Sequence, residues 1–181
     1  MNPAPAADLL VLETERVWLR RYGDQDVDEL FAVIGDPVTM RYYPRPYTRE
    51  ETAGWVRRQQ ERYERDGFGL YAMVLKETGG FVGDCGPVVQ VVEGADEVEL
   101  GWHVNRSWWN RGLATEAGRA CRDRCFETFG LDHVISLIRP ENVPSRRVAE
   151  KLGMSISRKV TWGGLPHDVW RVDRPAAGGG S

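Results

Sequence analysis

Two junctions, each leading from a strand into a helix, constrain this chain more than anything else in it. The first leaves a strand predicted over Glu97–Val104, passes Asn105-Arg-Ser-Trp-Trp-Asn-Arg-Gly-Leu-Ala114 and enters a helix that runs from Ala114 to Phe129 and stops at Gly130. The second leaves a strand at His133–Ile138, passes Arg139-Pro-Glu-Asn-Val-Pro144 and enters a short helix over Ser145–Leu152, ended by Gly153. A strand followed by a helix and another strand of the same sheet calls for a crossover, and a crossover lays its two strands parallel.

Hairpins surround that crossover. Phe68–Leu75 and Phe81–Val92 read as strands joined by Lys76-Glu-Thr-Gly-Gly80, and Met154–Trp162 and Asp168–Asp173 as a last pair around Gly163-Gly-Leu-Pro166. Val11–Arg21 reads as one opening strand and Asp24–Ile34 as a short helix. The prolines of Tyr42-Tyr-Pro-Arg-Pro-Tyr47 argue against regular structure there. Thr48-Arg-Glu-Glu51 matches a capping box opening a helix to about Asp66. The expected fold is therefore α/β (α+β), with a mixed, mostly antiparallel sheet covered by helices on both faces. It is not a doubly wound parallel sheet.

With 181 residues, 41% of them hydrophobic, the chain suits one domain over residues 1–175 and a flexible tail over 176–181. A formal net charge of -3 excludes a bulk electrostatic grip on nucleic acid. Cys85, Cys121 and Cys125 form no disulfide framework, and scattered His103, His133 and His167 complete no metal-ligand spacing, so no metal is expected. The start, Met1-Asn-Pro-Ala-Pro-Ala-Ala-Asp8, lacks the pattern of a signal peptide, and no apolar run reaches membrane-spanning length. A cytoplasmic protein is expected.

The first junction offers a place for an anion. A helix N-terminus presents unpaired N–H groups and the positive end of the helix dipole. Gly112 lets the backbone come close, Ala114, Ala117 and Gly118 are small, and Arg111 adds a positive charge. No Walker lysine follows. At the second junction, local rules read Asn142 and Ser145 as helix caps.

Taken together, Trp109-Asn-Arg-Gly-Leu-Ala-Thr-Glu-Ala117 and Asn142-Val-Pro-Ser145, followed by Glu150-Lys-Leu-Gly153, resemble the acetyl-CoA-binding core of the GNAT superfamily of N-acetyltransferases. Leu12-Glu-Thr-Glu-Arg-Val-Trp-Leu-Arg20 is also similar to the opening of its ribosomal-protein N-terminal acetyltransferase branch. The resemblance implies a GNAT-type sheet with a splayed central strand pair, Glu99–Val104 and His133–Ile138, gripping the pantetheine arm of acetyl-CoA. It implies a cofactor loop of Trp109, Asn110, Arg111, Gly112, Leu113, Ala114 and Thr115, with backbone N–H groups from Arg111 to Thr115 on the pyrophosphate. His103 and Val104 would bond the arm through their backbone, and Asn142 would orient the cofactor beside the thioester. Many family members carry a tyrosine before the Glu-Lys pair as the acid for the leaving thiolate. Here Ala149 stands there, and Ser145 becomes the candidate acid. Met154 replaces the family's aromatic residue.

Direct attack on a thioester needs a neutral amine, and a lysine-like amine has a pKa of about 10.4. A base, or water leading to one, has to take its proton. Alternation puts Glu97, Glu99, Gly101 and His103 on one face of their strand, with Val98, Leu100, Trp102 and Val104 on the other. Glu99 stands where the family often has a strand glutamate near the acceptor and is the first choice as base, with Glu97 and His103 next. Tyr42, Tyr43, Tyr47, Glu97 and Trp162 are candidate acceptor-site walls. The expected activity is transfer of an acetyl group from acetyl-CoA to a primary amine, at a peptide N-terminus or on a small molecule. The alternative is a non-catalytic CoA-binding module of the same fold. Whether two copies pair as a homodimer is left open.

Overall fold

The computed structural model describes residues 5–176. Residues 1–4, and the expected tail beyond Ala176, lie outside them. In chain order the elements are β1 (Leu10–Glu13), β2 (Val17–Arg20), a 3-10 turn at Asp24–Asp26 running into α1 (Val27–Ile34), α2 (Arg49–Arg65), β3 (Tyr71–Leu75), β4 (Phe81–Val92), β5 (Ala95–Val104), α3 (Leu113–Glu127), β6 (His133–Ile138), α4 (Val143–Lys151), β7 (Ser155–Trp162) and β8 (Leu165–Asp173).

One expectation is corrected. The opening strand is a hairpin, with Leu12 opposite Leu19 and Glu13 opposite Trp18. Thr14 turns the chain by donating its N–H to the Val17 carbonyl at 3.0 Å and accepting from the Val17 N–H through its hydroxyl oxygen at 3.1 Å. The turn is held from far along the chain: Glu116 Oε1 accepts from the Thr14 hydroxyl at 2.6 Å and from the Arg16 N–H at 2.8 Å. No pattern within residues 11–21 carries that information. The capping box on α2 forms as read, since Thr48 Oγ1 accepts from Glu51 N–H and Glu51 accepts from Thr48 N–H.

The eight strands make one sheet in the order β1-β2-β3-β4-β5-β6-β8-β7. Every neighbouring pair is antiparallel except β5 and β6, the crossover strands. These two share a single register pair, Glu99 with Ile135, and diverge beyond it. The Ser136 hydroxyl bridges the start of the opening by donating to the Leu100 carbonyl at 2.7 Å.

Helices cover both faces. Val17, Leu19, Tyr71, Met73 and Leu100 pack with Leu113, Ala117, Cys121 and Cys125 of α3 and Ala149 of α4. Leu70, Ala72 and Val88 face the other way and pack with Leu30, Val33 and Ile34 of α1 and Val56 of α2. The alternation of Tyr71 and Met73 against Leu70 and Ala72 is the period of a strand buried on both sides. Gly118 lies on α3 where an added Cβ would meet Leu152 Cδ1 at 3.0 Å, so a small residue there lets α3 and α4 approach. None of the described helices is long and apolar enough to cross a membrane.

Candidate active site

The divergence of β5 from β6 opens a cavity of about 420 Å³, within the usual range of roughly 300–1,000 Å³ for small-ligand sites. The loop after β5 and the start of α3 form one wall, α4 forms a second, and the α1–α2 connection closes the third.

The first wall is built around Gly112. It caps α3 in the left-handed conformation, φ 78° and ψ 4°, where a side chain is strained. Gly112, Leu113, Ala114 and Thr115 all line the cavity, and the first N–H groups of a helix have no partner within it. Arg16 secures the loop from behind by donating Nη1–H to the Arg111 carbonyl at 2.8 Å and pairing with Glu116 at 2.6 Å. Burial works against the Glu116 charge, but the bonds from Thr14 and Arg16 outweigh it and hold the carboxyl below its ordinary range. Asn110 and Trp109 also line the cavity, whereas Arg111 is exposed, its guanidinium 4.7 Å from the Trp108 ring.

The Trp109 indole donates to the Val104 carbonyl at 2.7 Å, so that oxygen already has one bond. The Leu100 and Val104 carbonyls both point away from β4, one taken by Ser136 and the other by Trp109. Alternation puts the N–H and C=O of Trp102 on the same edge. Trp102 lines the cavity, and β6 supplies it no register partner.

On the second wall Asn142 caps α4, its Oδ1 accepting from Ser145 N–H at 3.2 Å, and both residues line the cavity. The capping reading and the site reading therefore apply to the same two side chains. Arg147 and Lys151 line the same wall. On the third wall Arg41 stacks between Tyr42 and Trp109, at 4.7 Å and 5.1 Å from the ring centroids, and joins the α1–α2 connection to the loop after β5.

The polar face of β5 turns towards α1 and α2. Glu99 does not line the cavity. Its Oε2 accepts from Gln90 Nε2–H at 2.8 Å and its Oε1 from Leu137 N–H at 3.2 Å. Burial pushes its pKa up, against those two bonds and the nearby His103 and His167. His103 does line the cavity, and Tyr43 and Trp55 flank its ring at 5.4 Å and 5.7 Å. Tyr43 is 42% exposed overall, yet desolvation of its hydroxyl, with Glu99 and Asp84 near, raises its pKa.

The other expected residues lie further out. Glu97 is held by His133 at 2.8 Å and Arg158 at 3.1 Å, and despite partial burial the hydrogen bonds from these two side chains keep its pKa low. Tyr47 packs edge-on against Trp55 and lines a small surface depression with Tyr43. Trp162 donates to the Val91 carbonyl at 3.2 Å and meets His167 edge-on. The sequence reading missed Arg41, Trp102, Arg147, Lys151 and, above all, Asp84. A lone carboxylate inside the apolar run Phe81–Val92 was the signal for Asp84.

Among the described residues no three His, Cys, Asp or Glu side chains gather as a metal site requires. The three cysteines are free and buried. The site is thus a cleft with free N–H groups, cations along its walls and titratable groups along one strand.

Comparison with known proteins gives a consistent picture. The family described as acetyltransferase (GNAT) domain matches residues 16–155. The chain is 37% identical to the uncharacterized protein YkkB of Bacillus subtilis (strain 168), covering 82% of this chain and 87% of that one. It superposes on the crystal structure of an acetyltransferase from Agrobacterium tumefaciens str. C58 with TM-score 0.79 and 27% identity, covering 96% and 99% of the two chains. The fold also matches RimL, a ribosomal L7/L12 alpha-N-protein acetyltransferase in complex with coenzyme A, at TM-score 0.71 and 15% identity over 91% and 97% of the chains.

Proposed function

Since the chain belongs to the acetyltransferase (GNAT) family, we propose that this cleft transfers the acetyl group of acetyl-CoA to a primary amine by direct attack, and that its own residues divide the work as follows. The observation that carries the reading is the cavity at the β5–β6 divergence, into which the N-terminus of α3 opens through left-handed Gly112. The residues present fit acetyl-CoA. Free N–H groups at Leu113, Ala114 and Thr115 suit a pyrophosphate, and Arg41, Arg147 and Lys151 add positive charge along the same cavity. The open edge of β5 at Trp102, with the backbone of His103 and Val104 beside it, suits an extended amide-bearing arm in the manner of an added strand. Coenzyme A bound by the fold-related RimL agrees with this fit.

Asn142 and Ser145, at the start of α4, face the same cavity. Ser145 Oγ–H is the donor assigned to the departing thiolate. Glu99 is assigned the negative charge that draws the ammonium form of the acceptor and stabilises its proton once it has left the nitrogen. Tyr42 and Tyr43 wall the acceptor side, with Tyr47 at its outer rim and Glu97 and Trp162 beyond Glu99.

The test is thiol release from acetyl-CoA with a panel of peptides bearing free N-termini and of small amines, followed by mass spectrometry of the products. Acetylated amine formed in step with released thiol is the expected result. Coenzyme A binding with no product from any amine would instead make the chain a binding module.

A further inference from the structure

His103 is only 8% exposed and lines the cavity. Asp84, opposite it on β4 and fully buried, accepts from its ring Nδ1 at 2.7 Å and from its backbone N–H at 3.1 Å. The other Asp84 oxygen accepts from the Tyr22 hydroxyl at 3.0 Å. A carboxylate so placed fixes Nδ1 as the protonated nitrogen, which leaves the lone pair of the neutral ring on Nε2. Nε2 is buried and has no hydrogen-bond partner. Burying such an atom unpaired is costly, and here it belongs to a ring held by two aromatic neighbours in a cavity wall.

We infer that His103 is the group that takes the proton from the acceptor amine, with Asp84 as its positioning residue. This inference rests on the acetyltransferase reading above. In the step, an N–H bond of the bound ammonium breaks and an Nε2–H bond forms, while Nδ1–H stays bonded to Asp84. The neutral nitrogen attacks the thioester carbonyl carbon, a C–N bond forms and the C–S bond breaks. The second amine proton reaches the thiolate through the Ser145 hydroxyl, giving amide and thiol. His103 then returns its proton to solvent. Asp84 cannot do this work itself, because donors already occupy both its oxygens.

The charged and titratable groups facing the ring are Asp84 on β4, Glu99 on β5 and Tyr43 on the α1–α2 connection, with Tyr22 behind Asp84. Desolvation disfavours the imidazolium, but Asp84 and Glu99 outweigh it, so the ring titrates above its ordinary range. The acceptor lone pair appears as pH rises through that value, so kcat/KM rises with pH across it.

Two measurements decide the matter. The first is ring-nitrogen NMR of the wild-type chain, which reads the tautomer and titration of His103. The second is the pH–rate profile of wild type, His103→Ala, Asp84→Asn and Glu99→Gln with one good amine. The expected NMR result is an Nδ1–H tautomer titrating above about 6.5. In the profile, His103→Ala loses roughly 10²–10⁴-fold in kcat at unchanged coenzyme A affinity. Added imidazole restores part of the His103→Ala loss but none of the Glu99→Gln loss. Asp84→Asn moves the rising limb to lower pH. An Nε2–H tautomer in the wild type overturns the inference, and so does full His103→Ala activity across the pH range. The NMR result decides even if His103→Ala does not fold. A wild-type chain that acetylates no amine overturns the acetyltransferase reading itself, and this inference with it.

Discussion

At Glu99, burial raises the pKa while two donated hydrogen bonds favour the charge. Glu99→Gln keeps the shape and removes the charge, so its loss is expected mainly in kcat, by roughly 10²–10³-fold for lost electrostatic stabilisation, with coenzyme A affinity retained. Part of that loss returns at high pH, where more of the amine is already neutral. Equal kcat for Glu99→Gln and wild type from pH 6 to 9 would remove Glu99 from the chemistry. Ser145→Ala is expected to cost less, because water can stand in for a hydroxyl, and high pH does not restore it. Alternation along β5 made this face legible in the sequence and nominated Glu99 and His103 together. It could not separate Glu97 from them. His133 and Arg158, which occupy Glu97, arrive from β6 and β7, and their register with β5 is a property of the folded sheet. Asp84 escaped for the same reason: its partners are Tyr22 and His103, 62 and 19 residues away.

Among the elements, the β1–β2 turn does two jobs. Glu116 in the first turn of α3 closes the turn through Thr14 and Arg16, and Arg16 in turn holds the Arg111 carbonyl behind Gly112. Glu116→Gln should therefore loosen both. Arg16 is 44% exposed, so solvent screening keeps the loss to about 1–2 kcal/mol, or roughly 2–8 °C in Tm. Coenzyme A affinity should fall with it. The Glu116 pKa is depressed in the folded chain, so its contribution is present above the unfolded value of about 4.3 and disappears as pH falls through the folded one. Thermal melts of both proteins should converge in acid, and a constant Tm gap down to that range would contradict the latch. Most element boundaries were legible from caps and glycines: the Thr48 capping box, Gly130 and Gly153 all mark real ends. The β1–β2 hairpin was not, because its turn is stabilised by a helix from the other half of the chain.

For the whole molecule, the sheet carries a core on each face and opens between its parallel neighbours, β5 and β6. The crossover was legible from two junctions; the cavity at its opening depends on how Arg41, Trp102, Arg147 and Lys151 converge from three segments, which spacing along a chain does not encode. The thiols are buried between β4 and α3 and do not line this cavity: burial pushes Cys125 up to about 12, and a hydrogen bond with Cys121 together with burial raises Cys85. Acetyl transfer should accordingly proceed without an acyl-cysteine. Labelled acetyl-CoA mixed with the chain in the absence of an amine should leave no label on protein, and stable labelling of a cysteine would refute direct transfer. Acetyl transfer in this cleft requires the cofactor to sit at the N-terminus of α3. Calorimetric titration of coenzyme A into wild type and Gly112→Glu, with circular dichroism as the check on folding, tests it most directly. Tight binding by wild type and at least a roughly tenfold loss, about 1.4 kcal/mol, in a natively folded Gly112→Glu is the predicted result; unchanged affinity in that folded variant would contradict it.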